Sequence, residues 1–417
     1  MLRHALDGLT VVDFTQIGAG PTCTMLLADM GARVIKVESP SGELGRGLGP
    51  GWVGDDAALY HAFNRNKLGV ALDLKSQGGL SVARRLVAGA DVIVESMRPG
   101  VMERLGMGHR QLLALHPALI YCSITAYGQS GPFADHAGVD GIVQADSGLM
   151  SLIGIDDAEP CKVQAPVVDV MTGYVAAMAV LAKLAQRGRN SQGGHLDVNL
   201  LNSALALQQS SMTGYLADGE LPRRMGSAAP YSAPNQAFKT REGWLMIAAY
   251  MPERWTKLCD VLGIPHIAVD PRFADSPSRV KNRRAMVEIV TRALKERTAD
   301  EWIPLLEAAD ILCARVATYR DVERHPQVAF NGMLAEVSHP VHGVLRMPGF
   351  PVDSAQANAV PHQAAPACGQ HTCDVMRDLG FSAGEIAELL EAKAIHVPPD
   401  PHHAGQARGR TPRRETL

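Results

Sequence analysis

Residues 165–174 carry a single carboxylate, Asp169, at the end of an apolar approach, and an Ala-rich run from Val175 to Gln186 follows at once. Alanine has the strongest helix propensity, so the spacing predicts a helix beginning at Asp169. An Asp at a helix start can accept hydrogen bonds from the free N–H groups of the first turn. The positive end of the helix dipole also favours its ionised form. Two roles are compatible with that geometry. Asp169 is either a helix N-cap, or a nucleophilic carboxylate whose developing oxyanion is held by nearby backbone N–H groups.

Four cations, Lys67, Lys75, Arg98 and Arg104, lie close to the ends of apolar runs. Any one of them alone reads as a solvated charge. Clustered beside Gly- and Pro-rich loops, they favour a phosphate-bearing ligand. Gly18 and Gly20 half-match a dinucleotide fingerprint, and Glu38 stands near the position of a ribose-binding acid. Cys23 occupies the third glycine position, however, and Pro21 opens the helix, which weakens the case for NAD. The pattern is better read as a backbone that lets a ligand approach a helix N-terminus. His339-Pro-Val-His342 and His402-His403 have no Cys or carboxylate partners at ligand spacing, and no metal site is expected.

The elements that must position these residues are legible as apolar runs. Strands are predicted at 9–14, 33–37, 68–74, 90–95 and 119–124, separated by helical stretches including 78–88. Strands alternating with helices imply an α/β fold with a parallel sheet, whose ligands gather outside the carboxyl ends of the strands. Residues 1–212 form the first part of a large domain, and Gly-, Ser-, Ala- and Pro-rich residues 213–235 read as a linker. A smaller α+β domain spans 236–329. It opens with a hairpin, Phe238–Ala248, and continues with helices near 252–262, 279–296 and 299–308. Thr298 and Glu301 make a capping box for the last of these. Short strands resume over 330–396, ending in a helix with a second capping box at Ser382 and Glu385. The tail, 397–417, is expected to be poorly ordered.

Composition narrows the function classes. With 46% hydrophobic and 20% charged residues, the chain has the make-up of a soluble globular protein. At 417 residues it is long enough for two domains or one large interrupted one. A net charge of −3 provides no global basic field for nucleic acid. No apolar run reaches the roughly 18 residues that span a bilayer, and the first residues lack the apolar core of a signal peptide. Seven scattered cysteines without a Cys-x-x-Cys read as reduced thiols in a cytoplasmic protein.

The motifs, taken in order, resemble those of the family III CoA-transferases, which include formyl-CoA transferase, carnitine CoA-transferase and α-methylacyl-CoA racemase. The resemblance runs to about Leu390. It rests on Val12-Asp13-Phe14 with Gly18-Ala19-Gly20-Pro21, on Gly31–Glu38, and on Asn64-Arg65-Asn66-Lys67 with Leu72-Asp73-Leu74-Lys75. Arg98-Pro99-Gly100, Gly128-Gln129-Ser130-Gly131-Pro132, Asp140 with Gln144-Ala145, Asp169, and Gly369-Gln370-His371-Thr372 complete the set. The resemblance implies a Rossmann-like parallel sheet completed by the C-terminal segment, a smaller domain, and an interlocked homodimer. It makes Asp169 the catalytic residue. Its carboxylate, ionised near its ordinary pKa and needing no general base, would form an acyl anhydride and then an aspartyl–CoA thioester. Leu72, Lys75, Met97, Arg98, Arg104 and Asp140, with the Ile17–Gly18 backbone, match positions that hold CoA in the family. No cofactor is held permanently; acyl-CoA and a free carboxylic acid are the substrates. On charge and apolar-run length, neither nucleic acid nor membrane is expected as a partner.

Departures from the family pattern bear on the nucleotide end. Ser39 stands where some members have an Arg, Ser96-Met97 replaces Asn-Phe, and Ala137 replaces a Lys of one branch. The racemase branch is one alternative. It uses a His beside the Asp that matches Asp140, whereas Val139 stands here and has no proton to give. Two further classes are an NAD-dependent oxidoreductase and a non-catalytic acyl-CoA-binding protein.

Overall fold

A computed structural model describes residues 2–399. The tail predicted from Val397 lies almost wholly outside the described residues, as does the pair His402-His403. The chain divides into two compact units. One combines Met1–Ser147, Val163–Thr213 and Ala329–Leu417, and the other combines Gly148–Lys162 with Gly214–Val328. Residues 148–162, read from sequence as part of the first segment, therefore join the smaller unit. The stretch read as a linker is not all coil either, because a helix over Gln209–Asp218 runs into it.

The larger unit is built on a seven-stranded sheet. Its strands are β1 (Thr10–Phe14), β2 (Arg33–Glu38), β3 (Lys67–Leu72), β4 (Val92–Glu95), β5 (Ile120–Thr125), β6 (Gly194–Asn199) and β7 (Ile395–His396). Their spatial order is β7-β3-β2-β1-β4-β5-β6. All pairings are parallel except β7 on β3, where Ile395 sits opposite Leu72. The central strands are buried on both faces, which is why they read as continuous Val- and Ile-rich runs rather than alternating ones. Strand order reverses between β1 and β4, the point where such sheets open a crevice.

Charges inside this sheet set the shape of the loop after β1. Asp13 is fully buried and accepts from Thr15 N (2.8 Å), Thr24 Oγ1 (2.6 Å) and Lys67 Nζ (3.1 Å). Burial alone would raise its carboxyl, but Lys67 and Lys36 outweigh it and hold the group well below the usual carboxylate range. Lys67 also donates to Pro21 O and Asn64 Oδ1. It is thus a structural cation with no face toward a ligand, which corrects its expected place among the phosphate candidates. Its Nζ is consumed by three internal acceptors because a buried ammonium must be fully paired.

Two helices carry the rest of the framework. Helix α1 (Ala19–Asp29) is buried along its whole length, and α3 (Val167–Asn190) packs on it; the short α2 (Asp140–Asp146) precedes α3 in the chain. The two long helices approach closely because Gly173 has no side chain. A Cβ there would meet Thr22 Cβ at 2.5 Å and Ala19 O at 2.7 Å. By length and composition α3, with mean hydropathy 1.7, could cross a membrane. That corrects the expectation that no such stretch exists, since the helix is longer than its Ala-rich core suggested. The core helix of a globular protein passes the same test, and 33% of this stretch is buried inside the fold.

The C-terminal segment is tied back by the Gly-x-His-Thr motif. His371 N donates to Gly69 O (2.8 Å) and its Nδ1 accepts from Gly69 N (3.0 Å). Thr372 Oγ1 bridges Ala71 N and His396 O. The motif's role is to seat β7 against β3.

In the smaller unit, Asn235–Lys239, Trp244–Ala248 and Leu312–Arg315 form an antiparallel sheet, with Phe238 opposite Leu245. The predicted hairpin and its turn are present, Gly243 taking a φ of +81° that suits glycine. Helices over Pro252–Val261, Arg283–Leu294 and Ala299–Ala308 cover the sheet. Both predicted capping boxes form. Arg279 is buried at this core and donates to the carbonyls of Ala233, Phe273 and Tyr250 at 2.7, 2.8 and 2.6 Å.

Candidate active site

Helix α3 begins at Val167, with Pro166 as its cap residue and no side-chain cap bond of its own. Asp169 is therefore the third helical residue rather than the N-cap that the sequence suggested. The capping group comes from elsewhere. Asp140 Oδ2 accepts from Val168 N (2.8 Å) and Asp169 N (3.1 Å), while Asp140 Oδ1 accepts from Gln144 Nε2 (2.5 Å). Gln144 is itself locked to the backbone of Val163 through both ends of its amide. Both oxygens of the Asp140 carboxylate are thereby engaged within the protein, by the backbone of α3 and by the Gln144 side chain.

Relieved of capping, the Asp169 carboxylate lies against the Cα of Gly18, so closely that a Cβ at position 18 would overlap Asp169 Oδ2. Among the described residues no donor bonds this carboxylate. Burial first, and the neighbouring Asp140 second, raise its pKa to about 7. The expectation of an ordinary carboxylate near 4 is corrected accordingly. The sequence could not show it, because both causes depend on residues brought in from other elements.

Asp169 forms one wall of a cavity of about 240 Å³ lined by Gln16, Ile17, Gly18, Ala19, Gly20, Leu44, Ser96, Thr125, Val139 and Leu200. The cavity sits at the carboxyl ends of β1, β4 and β5, where the strand order reverses. Ile17 has a φ of +71°, unusual for a branched residue, and its N–H is held by Glu43 Oε2 at 3.0 Å. This bends the chain so that α1 starts at the cavity. The N–H groups of Ala19 and Gly20 open α1, find no acceptor among the described residues and border the same space. Pro21, next in line, has no N–H to leave unpaired.

A second cavity of about 130 Å³ shares Ser96, Thr125, Ala126 and Gly138 with the first and adds Met97, Arg98, His136 and Ala137. The two cavities adjoin along the four shared residues as a groove, Asp169 lining the first and the exposed Arg98 the second. Met97 is set by its N–H on Glu95 Oε2 at 2.8 Å. Burial pushes the Glu95 carboxyl up to about 7.

The structure thus places Ile17, Gly18 and Asp169 on the first cavity and Met97 and Arg98 on the adjoining one. Lys75 and Arg104 are exposed and line neither cavity. The Leu72 side chain is buried in the main core, so only its backbone could face a ligand. Gln16, Leu44, Thr125 and Leu200 were not singled out in advance, although Thr125 ends a readable strand, while Val139, singled out for what it lacks, lines the same cavity. Among the described residues no group of three or more His, Cys, Asp or Glu could hold a metal ion. His339 and His342 lie with rings 4.7 Å apart, and His339 Nδ1 accepts from His342 N.

Residues 6–372 match the family model for CoA-transferase family III. The chain is 35% identical over 387 residues to a succinyl-CoA:glutarate CoA-transferase of Mus musculus, covering 92% of this chain and 89% of that protein. It is also 35% identical, over 352 residues, to an acetyl-CoA:oxalate CoA-transferase of Acetobacter aceti, covering 84% of this chain and 89% of that one. Among solved structures, a CAIB/BAIF family protein from Brucella suis superposes with a TM-score of 0.80 at 34% identity, over 89% of this chain and 98% of that one.

Proposed function

The chain belongs to CoA-transferase family III and is a CoA-transferase, and from that premise we propose that Asp169 is the nucleophile that carries CoA between two acids. The observation that supports this most directly is the Asp169 carboxylate itself. It lies unbonded at the wall of a cavity, against Gly18, and shares that cavity with Ala19 and Gly20 at the start of α1.

The steps balance without a redox partner. An Asp169 oxygen attacks the thioester carbonyl of acyl-CoA, the C–S bond breaks, and CoA leaves as thiolate, giving an acyl–aspartyl anhydride. The thiolate then attacks the Asp169 carbonyl carbon and the donor acid departs as a carboxylate, leaving an aspartyl–CoA thioester. The acceptor carboxylate attacks that thioester, CoA leaves again, and a second anhydride forms. The thiolate takes the acceptor's acyl carbon, and Asp169 is regenerated. Each tetrahedral oxyanion would be met by the Ala19 and Gly20 N–H groups at the start of α1, the arrangement that stabilises developing negative charge.

In this reading Met97, Arg98 and the Ile17–Gly18 backbone hold the CoA arm along the groove. Lys75 and Arg104 would meet phosphates further out. The strand order with its reversal at β1 and β4 supports a Rossmann-like cradle. Exposed Tyr174 and Met178, one helical turn apart on α3, support burial of that face in a homodimer, interlocked as in the family. The free, scattered cysteines support a cytoplasmic location. Succinyl-CoA with a short dicarboxylic acid is the first pair to assay, on the names of the relatives. Val139 lines the cavity where the racemase branch has an acid–base residue, and it supports transfer over racemisation.

The test is covalent trapping. Enzyme mixed with acyl-CoA and then borohydride should carry a homoserine at 169, and hydroxylamine should leave a hydroxamate there. Peptide mass spectrometry that finds position 169 unmodified during turnover would overturn the nucleophile assignment.

A further inference from the structure

Helix α3 starts with two free N–H groups, those of Val168 and Asp169, and in most helices a nearby side chain of the same turn would take them. Here one oxygen of Asp140, 28 residues away from Val168, takes both. The other oxygen is pinned by Gln144, whose amide is closed onto Val163 N (2.9 Å) and Val163 O (3.1 Å). Asp140 is buried and opens α2. The result is a rigid strut from α2 to the N-terminus of α3.

We infer that Asp140 is a positioning residue for the reaction: by occupying the N-terminus of α3 it denies those N–H groups to the Asp169 carboxylate, which is left unbonded and turned to Gly18 and the cavity. The inference rests on the nucleophile reading for Asp169. It does not follow from it, because a nucleophile at this position could equally be capped by its own helix.

The chemistry explains why the arrangement is useful. A carboxylate that accepts two backbone N–H bonds is stabilised as the anion and becomes a weaker nucleophile. Moving those bonds to Asp140 removes that stabilisation and adds a second negative charge beside Asp169. Other charges near the site do not offset it. Glu43 is engaged by Ile17 N and by Lys36 at 3.3 Å, and α1 carries no cation at all. Burial and Asp140 act together in raising Asp169 to about 7.

Asp140→Asn tests this, because Asn keeps an oxygen that can accept from the α3 N–H groups but carries no charge. The acid limb of the kcat/KM pH profile is expected near 7 in the native enzyme and lower in Asp140→Asn, burial remaining in place. Affinity for CoA, read by calorimetry, should stay within twofold. An unmoved acid limb would reduce Asp140 to a structural cap, and a large loss of CoA affinity would return it to the ligand contacts; either overturns the inference. Should the variant fail to fold, the native protein decides by titration of its aspartate carboxyl carbons by 13C NMR, the Asp169 signal being assigned by its loss in Asp169→Asn. A value near 4 would overturn the inference. Trapping at position 169 is read separately, so a failed nucleophile assignment is distinguishable from a failed role for Asp140.

Discussion

At the residue scale folding disfavours the charged form of the Asp169 carboxylate. The pKa of Asp169 in the folded chain, about 7, lies above its ordinary value of 3.8, so the folded state holds that proton more tightly than the unfolded one. Stability linked to this group is complete below about pH 4 and is lost as the pH rises through about 7. A shift of roughly three units makes the loss on the order of 4 kcal/mol. Asp169→Asn should therefore raise the melting temperature at pH 8, with the gain shrinking as the pH falls toward 4, while turnover drops by roughly a thousandfold or more. Differential scanning calorimetry across that range, set beside the activity, checks both. A melting gain that does not depend on pH would show that Asp169 is not ionising in the fold. In the adjoining cavity, Arg98→Ala should weaken CoA binding by about 1.5–3 kcal/mol, the worth of a hydrogen bond to a charged group. The same loss is expected for Lys75→Ala and Arg104→Ala if phosphates reach them. Isothermal calorimetry with CoA separates the three, and unchanged affinity in a variant removes that residue from the site.

Elements place these residues through glycines as much as through contacts. Gly18 lets the end of the β1 loop lie against the Asp169 carboxylate, and a methyl group there would occupy the space of Asp169 Oδ2. Displacements of about an ångström at a reacting group cost on the order of a hundredfold in rate. Gly18→Ala is thus expected to lower kcat at least tenfold while leaving the fold intact by circular dichroism. Gly173 works between helices, since a Cβ would strike Thr22 and the Ala19 carbonyl. Forcing α1 and α3 apart should cost about 1–3 kcal/mol, the usual penalty of overpacking. Urea unfolding of Gly173→Ala, with an unchanged m-value and a lower midpoint, would bear this out. A midpoint equal to that of the native chain would mean that the two helices have room to give.

At the scale of the whole molecule, the 24-residue α3 is only partly buried, and the proposed homodimer would cover its outer face. Tyr174 is 44% exposed and Met178 63%, one turn apart on α3, and contiguous exposed apolar surface is what marks an interface. Light scattering should give a mass near 89 kDa, twice the 44.6 kDa of one chain. Tyr174→Arg combined with Met178→Arg should lower the mass toward one chain. A monomeric native protein with full activity would remove the dimer from the account.

Much of this was legible in the chain itself. The strand runs of the large sheet could be read because residues buried on both faces must be apolar in succession, and the capping boxes because their bonds close within four residues. The matched motifs pointed to Asp169, Arg98 and the Gly18 loop together before any geometry was known, and the structure lays Asp169 and Gly18 on one cavity and Arg98 on the adjoining one. Other features were decided only by the tertiary structure. Lys67 looked like a phosphate ligand until Asp13, Pro21 and Asn64 were brought around it. Residues 148–162 changed unit because their contacts lie with 214–328, not with their sequence neighbours. Asp169 looked like a cap with an ordinary acid strength. That changed because the group that caps its helix, and the burial that withholds water, come from α2 and the β1 loop, and electrostatic energies depend on distance in space, which neighbouring letters do not record.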